Sequence, residues 1–352
     1  MNRRILFLLT ATVALALAGC SGGPWRSAAG QNPAAPPAPP VHVDARPVLA
    51  DALATGADPI KAMVLETFLE AHQPAPAVDL RAPLNPRVRM LAYVAAAQRR
   101  DSEAVPFFRA GLRDADPAVR LASAYGLTMM GDGSQATVLR DGLSSPDVTV
   151  RRNAAWMIGL MDNASAVDML KTKLDDPDAV VVLRVAEALF RLGSSDGLEQ
   201  VRLLTEHERH VVRYFATRLL GRIGAKDDIP RLQKLSESRF LDVKFAAVGA
   251  LAQQGDFKRI ELLVEFLEAP EPDSRLLAAR ELGETGYTPA VPALARLMAR
   301  SDPMERTTAA SSILRIQAET RSWRGHAQVE TKPRNLSPDD LPKLVAPLPA
   351  GR

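Results

Sequence analysis

A spacing of 31 residues constrains this chain more than any other feature. Steps of 31 from Arg89 fall on Arg120, Arg151, Val182, Arg213, Lys244, Arg275 and Arg306, with no insertion or deletion. Seven of these eight anchors are basic. The residue before the anchor is Val88, Val119, Val150, Val181, Val212 and Val243, then Ser274 and Glu305. Three after it stand Ala92, Ser123, Ala154, Val185, Ala216, Ala247, Ala278 and Ala309, and seven after it Ala96, Leu127, Ile158, Leu189, Leu220, Leu251, Leu282 and Ile313. Self-similarity at such a period means a stacked array in which each unit covers its neighbour's apolar face.

Within each unit the apolar positions are three or four residues apart, the spacing of one helix face. A second apolar set begins sixteen residues after the anchor (Val105, Ala136, Val167, Leu198, Ile229, Ile260, Val291). It continues at nineteen (Phe108, Leu139, Leu170, Val201, Leu232, Leu263, Leu294). Each unit is therefore a short helix followed by the longer anchor helix. Asn85-Pro86, Asp116-Pro117, Asp176-Pro177 and Asp302-Pro303 put a capping acceptor before a proline that suits the first helical turn. Gly131, Gly193, Gly224, Gly255 and Gly286, eleven after the anchor, sit where a left-handed residue ends a helix.

The pattern D-P-x-V-R-x-x-A-x-x-x-L, complete in "DPAVRLASAYGL" from Asp116 to Leu127, resembles the HEAT-repeat family. Its short form is similar to the phycobilisome-lyase-like repeats. The resemblance covers about residues 59 to 317, with a period below the roughly 40–47 residues of ordinary HEAT units. It implies an all-α fold, an elongated α-solenoid superhelix of about eight to nine two-helix repeats, with the anchor helices on the concave side. A degenerate first unit, "DPIKAMVLETFLEA", carries Lys61 as its anchor, and "HQPAPAVDLRAPLNP" then replaces a clean short helix.

The chain divides into residues 1–19, 20–47, 48–319 and 320–352. A basic start, "MNRR", and the apolar run "ILFLLTATVALALAG" have the form of a secretory signal. Leu17-Ala18-Gly19-Cys20 resembles a bacterial lipobox. That resemblance implies removal of 1–19 and a diacylglyceryl lipid on Cys20, the chain's one cysteine. It places the protein in a bacterial envelope, on the periplasmic face of the outer membrane in a Gram-negative source. Residues 20–47 are a Pro/Ala-rich tether. The Pro-rich tail 320–352 either is flexible or folds back on the last repeat. Without Arg3 and Arg4, 42 basic residues face 41 acidic ones. Near-neutrality argues against a nucleic-acid partner, and the lipid supplies the membrane contact.

No catalytic or metal constellation stands out, and the expectation is that the chain is not an enzyme and needs no cofactor beyond the lipid. "HERH" (His207 to His210) spaces its histidines by three, where the zinc motif H-E-x-x-H needs four. The row of basic anchors suggests a phosphate ladder. A structural role suits it better, with each anchor pairing to turn aspartates of its own or an adjacent repeat.

Positions two, five and nine after the anchor should leave the buried face. There an apolar start gives way to a basic middle. The candidate partner-binding residues are Tyr125, Met129, Trp156, Leu160, Arg184, Arg191, Phe215, Arg218 and Arg222. Trp, Tyr and Arg are enriched in binding hot spots. The leading expectation is a protein or peptide segment held on the concave face, along a strip on the order of 30 Å if each helix layer adds ~10 Å. A chaperone or assembly factor for envelope complexes, and an anion- or polysaccharide-binding module, are the alternatives. The other reading is that Tyr125 and Trp156 only fill space between neighbouring repeats and the arginines are solvated. Ala247 is expected to be tightly packed, and Ala250, one turn on, to be more tolerant.

Overall fold

A computed structural model describes residues 43–318. The lipobox with Cys20, most of the tether and the whole C-terminal tail 320–352 lie outside the described residues. Those described form seventeen α-helices and no strand.

The anchor helices are α2 (Asp58–Glu70), α3 (Pro86–Gln98), α5 (Pro117–Met129), α7 (Val148–Gly159), α9 (Ala179–Arg191), α11 (His210–Ile223), α13 (Leu241–Gln253), α15 (Pro272–Thr285) and α17 (Pro303–Gln317). The short helices between them are α4 (Val105–Gly111), α6 (Ala136–Gly142), α8 (Val167–Lys171), α10 (Leu198–Leu204), α12 (Ile229–Leu235), α14 (Ile260–Glu265) and α16 (Val291–Met298). A further helix, α1 (Arg46–Thr55), takes the short-helix place before α2. Only α3 lacks such a partner, as the proline-broken segment before it foretells.

The repeat positions behave as one register. Every residue three and seven after an anchor is buried, from Ala92 and Ala96 to Ala309 and Ile313. Phe108, Leu139, Leu170, Val201, Leu232, Leu263 and Leu294 close the core beneath the short helices. The caps follow the sequence with one shift. Asn85, Asp116 and Asp302 accept from helical N–H groups as expected, but Asp178, not Asp176, caps α9. Asp176 instead takes a two-bond contact from Arg151, at 2.7 and 3.0 Å.

The anchor arginines are structural. Arg120, Arg151, Arg213 and Arg275 each donate to the carbonyls five and six residues earlier, for example Arg120 to Asp114 (2.7 Å) and Ala115 (2.9 Å). These are carbonyls that the chain leaves unpaired as it turns between helices. Arg89 and Arg151 also reach Asp114 and Asp176 in the turn of the following repeat.

The array is not elongated. Its ends meet: α17 packs against both α1 and α2. Thr67 Oγ1 donates to Ser311 Oγ (3.0 Å) and Arg315 Nη2 to Glu70 Oε2 (2.6 Å), across 244 and 245 residues of chain. Nine anchor helices thus close into a ring, with α1 covering the seam from outside. Leu49 and Leu53 of α1 are buried there. The solenoid expected from the repeat is present, but its elongated form is not: the first unit is a complete helix pair, and it packs on the last.

Candidate functional site

Closure turns the concave side into a central, partly open space. Many of the residues two and five after the anchor, with Arg222 and Arg315 at nine, line it, and a cavity of about 590 Å³ is lined by residues of α2, α3, α5, α7, α9, α11, α15 and α17. Such volumes are typical of ligand sites. One end is formed by the starts of α3, α5 and α7, with Asn85, Arg87, Asp116 and Asp147. The wall carries Asn153, Trp156, Arg184, Phe215 and Arg280. Toward the helix C-termini the cavity is shut by charge.

That closure is an ion-pair network. Arg315 joins Glu70 of α2 to Glu284 of α15, the latter at 2.9 Å. Arg222 reaches Glu284 at 2.9 Å and Glu187 of α9 at 3.1 Å. Arg218 lies 2.8 Å from Glu284 and 3.4 Å from Glu281. Glu187 also pairs with Arg184 (2.7 Å) and Arg191 (3.4 Å). Burial alone would raise the Glu187 carboxyl, but Arg184, Arg191 and Arg222 outweigh it and hold the pKa at about 2. Glu284 is likewise held well below the carboxylate range, burial being overcome by Arg222, Arg218 and Arg315. Glu281 goes the other way: its burial outweighs Arg218 and the hydrogen bond from Tyr214. Tyr214 reaches Glu281 from α11 to α15, beyond the intervening α13. Gly249 on α13 has no side chain to fill that space; a Cβ there would already touch Glu281 at 3.5–3.7 Å.

The candidate residues divide accordingly. Trp156, Arg184, Phe215, Arg218 and Arg222 line the cavity. Leu160 and Arg191 line a second hollow of about 460 Å³ by the C-terminal ends of the helices, where Arg191 Nη1 is 3.3 Å from His72 Nε2. Met129 is half-buried against the core. Tyr125 must be withdrawn as a contact residue. It has no exposed surface, its hydroxyl accepts a hydrogen bond from Gln98, and burial pushes its pKa far up. The supposed strip from Tyr125 through Trp156 to Arg218 is therefore not a surface. Nor is the basic middle an open cationic face, because its arginines are spent on glutamates. Ala250 is also corrected: it is 1% exposed and packs on Gly221.

The residues not foreseen are the acids Glu70, Glu187, Glu281 and Glu284, with Arg315. Glu70, Arg191, Arg222, Glu284 and Arg315 all stand nine after an anchor. That common register was visible, but it means convergence only if the array closes. In "HERH", His210 Nδ1 lies 2.7 Å from Asp242 and the ring stacks on Phe240. No cluster of three metal-ligating side chains occurs among the described residues.

The HEAT-repeat family model matches residues 77–149, 136–207, 199–273 and 260–322, most of the chain. The chain belongs to the HEAT-repeat family. The repeats are of a kind that serves protein–protein interaction, and the fold is an α-solenoid. Among solved structures it is similar to the phycocyanin lyase CpcE–CpcF complex of Nostoc sp. PCC7120, at 25% identity over 60% of this chain and 94% of that one, TM-score 0.42. It is similar to YibA of E. coli at 16% identity, over 66% and 89% of the two chains, TM-score 0.38. It is similar also to human deoxyhypusine hydroxylase, at 19% identity over 74% and 100%, TM-score 0.33. At these TM-scores the three say nothing about this cavity. No curated protein sequence matches the chain. One expectation does not stand: that the chain is not an enzyme. A lyase and a hydroxylase are among the solved structures to which this HEAT-repeat body is similar.

Proposed function

We propose that this protein is a lipid-anchored HEAT-repeat scaffold of the bacterial envelope that takes a short extended segment of a protein partner into its inner cavity. The observation that carries the reading is the cavity itself. About 590 Å³ is bounded by helices from around the ring, and Trp156 and Phe215 stand among arginines on its wall. A space of that size admits a few residues of an extended chain and excludes a folded domain. Aromatic and arginine side chains in one partly desolvated pocket are the groups that anchor partner segments. The membrane assignment rests on Leu17-Ala18-Gly19-Cys20 after a short apolar run.

A photo-crosslinking side chain at Asn153, on the cavity wall, tests the binding reading in the native envelope. The expected product is one partner attached through a single short segment, absent when the same group is placed at Leu203, which is 73% exposed on α10. Equal products from both positions would contradict it. Trp156→Ala should weaken the captured partner by about 2 kcal/mol or more, with the melting temperature followed alongside. For the anchor, Cys20→Ala should abolish lipid attachment and release the protein from membranes. Unchanged membrane fractionation of that variant, with no lipid mass on the wild type, would remove the lipoprotein reading.

A further inference from the structure

We propose that the contact between α2 and α17 is a gate in the ring: in the folded protein α17 parts from α2 and opens the cavity from the side, so that a segment within a longer chain enters without being threaded from an end. The use of the gate for entry rests on the cavity being the binding site. Its opening does not.

The seam differs from other inner contacts in what it is made of. Where α7 meets α9, α11 meets α13 and α15 meets α17, a glycine lets the backbones approach. A Cβ at Gly159 would lie 2.8 Å from Ala188 Cα, at Gly221 2.5 Å from Ala250 Cβ, and at Gly283 2.9 Å from Ser312 Cα. Neither α2 nor α17 contains a glycine. They meet through Met63 and Thr67 on one side and Thr308 and Ser311 on the other. All four line the cavity, so parting them opens it directly. Thr67, Thr308 and Ser311 are buried, yet hydroxyls set against one another supply little of the apolar burial that holds helices together. Separation does not strand them either. Thr67 Oγ1 keeps the Met63 carbonyl of its own helix at 2.8 Å, and the 3.0 Å bond to Ser311 exchanges for water at small net cost. The contact of Thr308 Oγ1 with Met63 Sδ, at 3.6 Å, is to a weak acceptor.

The ion pairs are divided in the same way. Of the acids in the network, Glu70 alone stands on α2. Separation breaks its pair with Arg315 at 2.6 Å and its looser one with Arg222 at 3.9 Å. The Glu70 side chain is 29% exposed, against 9% for Glu187 and 10% for Glu284, so it is the acid that water already reaches. Arg315 keeps Glu284 at 2.9 Å, and Arg222 keeps Glu284 and Glu187. No buried charge is left alone. Leu49 and Leu53 of α1, over the outside of the seam, supply its apolar part. They keep the closed ring dominant and the open form a minor one.

Two adjacent serines of α17 report the opening. Ser311 faces α2, and Ser312 faces Gly283 of α15. They are 5% and 2% exposed and both line the cavity, so a reagent arriving through the cavity mouth reaches either alike. Ser311→Cys and Ser312→Cys, each made with Cys20→Ala, are labelled with N-ethylmaleimide in the folded state, with melting temperatures followed alongside. Ser311→Cys should react about tenfold or more faster than Ser312→Cys. Should Ser311→Cys not fold, Thr67→Cys serves, with the same expectation. Equal rates, or a faster Ser312→Cys, overturn the gate. For entry, the crosslinking group at Asn153 is combined with Thr67→Cys and Ser311→Cys. With the seam locked by its disulfide no partner should be attached, and attachment should return on reduction. Equal attachment in the locked and reduced forms overturns the seam as the way in. Absence of attachment in the reduced form as well would remove the cavity as the binding site, while the two labelling rates still decide whether the seam opens.

Discussion

The residue eleven after each anchor shows how far one position can be followed. The five glycines foreseen there all have positive φ, from 65° to 98°. In three of the other four units the same position holds His72, Arg100 and Asp162, at φ 50°, 55° and 51°, the only described non-glycine residues with positive φ; in the last unit it is Gln317, still within α17. The turn demands a left-handed residue whether or not the sequence supplies glycine, so absence of glycine in those units did not mean absence of the turn. His72 also fixes Lys61 as the anchor of the first unit. Asp162→Gly should remove a left-handed penalty of about 1 kcal/mol, part of it returned as unfolded-state entropy. A rise in the melting temperature checks this, and a fall would contradict it. At the small position three after the anchor, Ala247 has no exposed surface. Ala247→Phe should overpack and cost roughly 1–3 kcal/mol or more by denaturant unfolding. Burial at such positions was legible because the period repeats it eight times. Burial of Tyr125 was not, because its fate depends on Gln98 of the previous unit, and a single position carries no record of its neighbour's hydrogen bond.

Between elements, the spacing of adjacent anchor helices is set by small residues in contact. On α11, a Cβ at Gly221 would lie 2.5 Å from the Cβ and 2.7 Å from the Cα of Ala250 on α13. Gly221→Val must push those helices apart and should cost about 3 kcal/mol, whereas a Cβ at Gly133 meets nothing within 4 Å, so Gly133→Ala should be close to neutral. Thermal melts of the pair separate close approach from a general effect of losing glycine. The charged ends of these helices make a pH prediction. Glu187 has its folded pKa below the unfolded one of about 4.5, so its stabilisation is full above pH 4.5 and is lost as pH falls toward 2. Glu281, with a raised pKa, acts in the opposite sense. Wild type should therefore lose melting temperature between pH 4.5 and 2 more steeply than Glu187→Gln. Parallel curves would show that Glu187 is not held by its arginines. Helix pairs, caps and inward-facing positions were legible from spacing alone. The pairing of those positions across the cavity was not, because these glutamates meet arginines from other units: Glu187 meets Arg222 of the next unit, and Glu284 meets Arg222 from two units before and Arg315 from the unit after.

At the scale of the molecule, closure decides everything about the site. An open array would leave Glu70 and Arg315 at opposite ends and spread the inward positions along a shallow groove. In the ring they meet, and the arginines that suggested a cationic surface neutralise Glu70, Glu187, Glu281 and Glu284 instead. Removing one partner from so buried a network leaves several charges uncompensated, and Glu284→Ala should cost roughly 3–5 kcal/mol. The period predicted the fold class because it is written in every unit. It could not predict closure, since the seam is one contact, made once, by residues such as Thr67 and Ser311 that look unremarkable in a helix. The most direct test joins them. With Cys20→Ala removing the native thiol, Thr67→Cys and Ser311→Cys together place two sulfurs where hydroxyl oxygens now stand 3.0 Å apart. Mild oxidation should give an intramolecular disulfide in the folded monomer, with a melting temperature above that of the reduced form. A folded monomer that stays reduced under the same oxidation would contradict the closed ring.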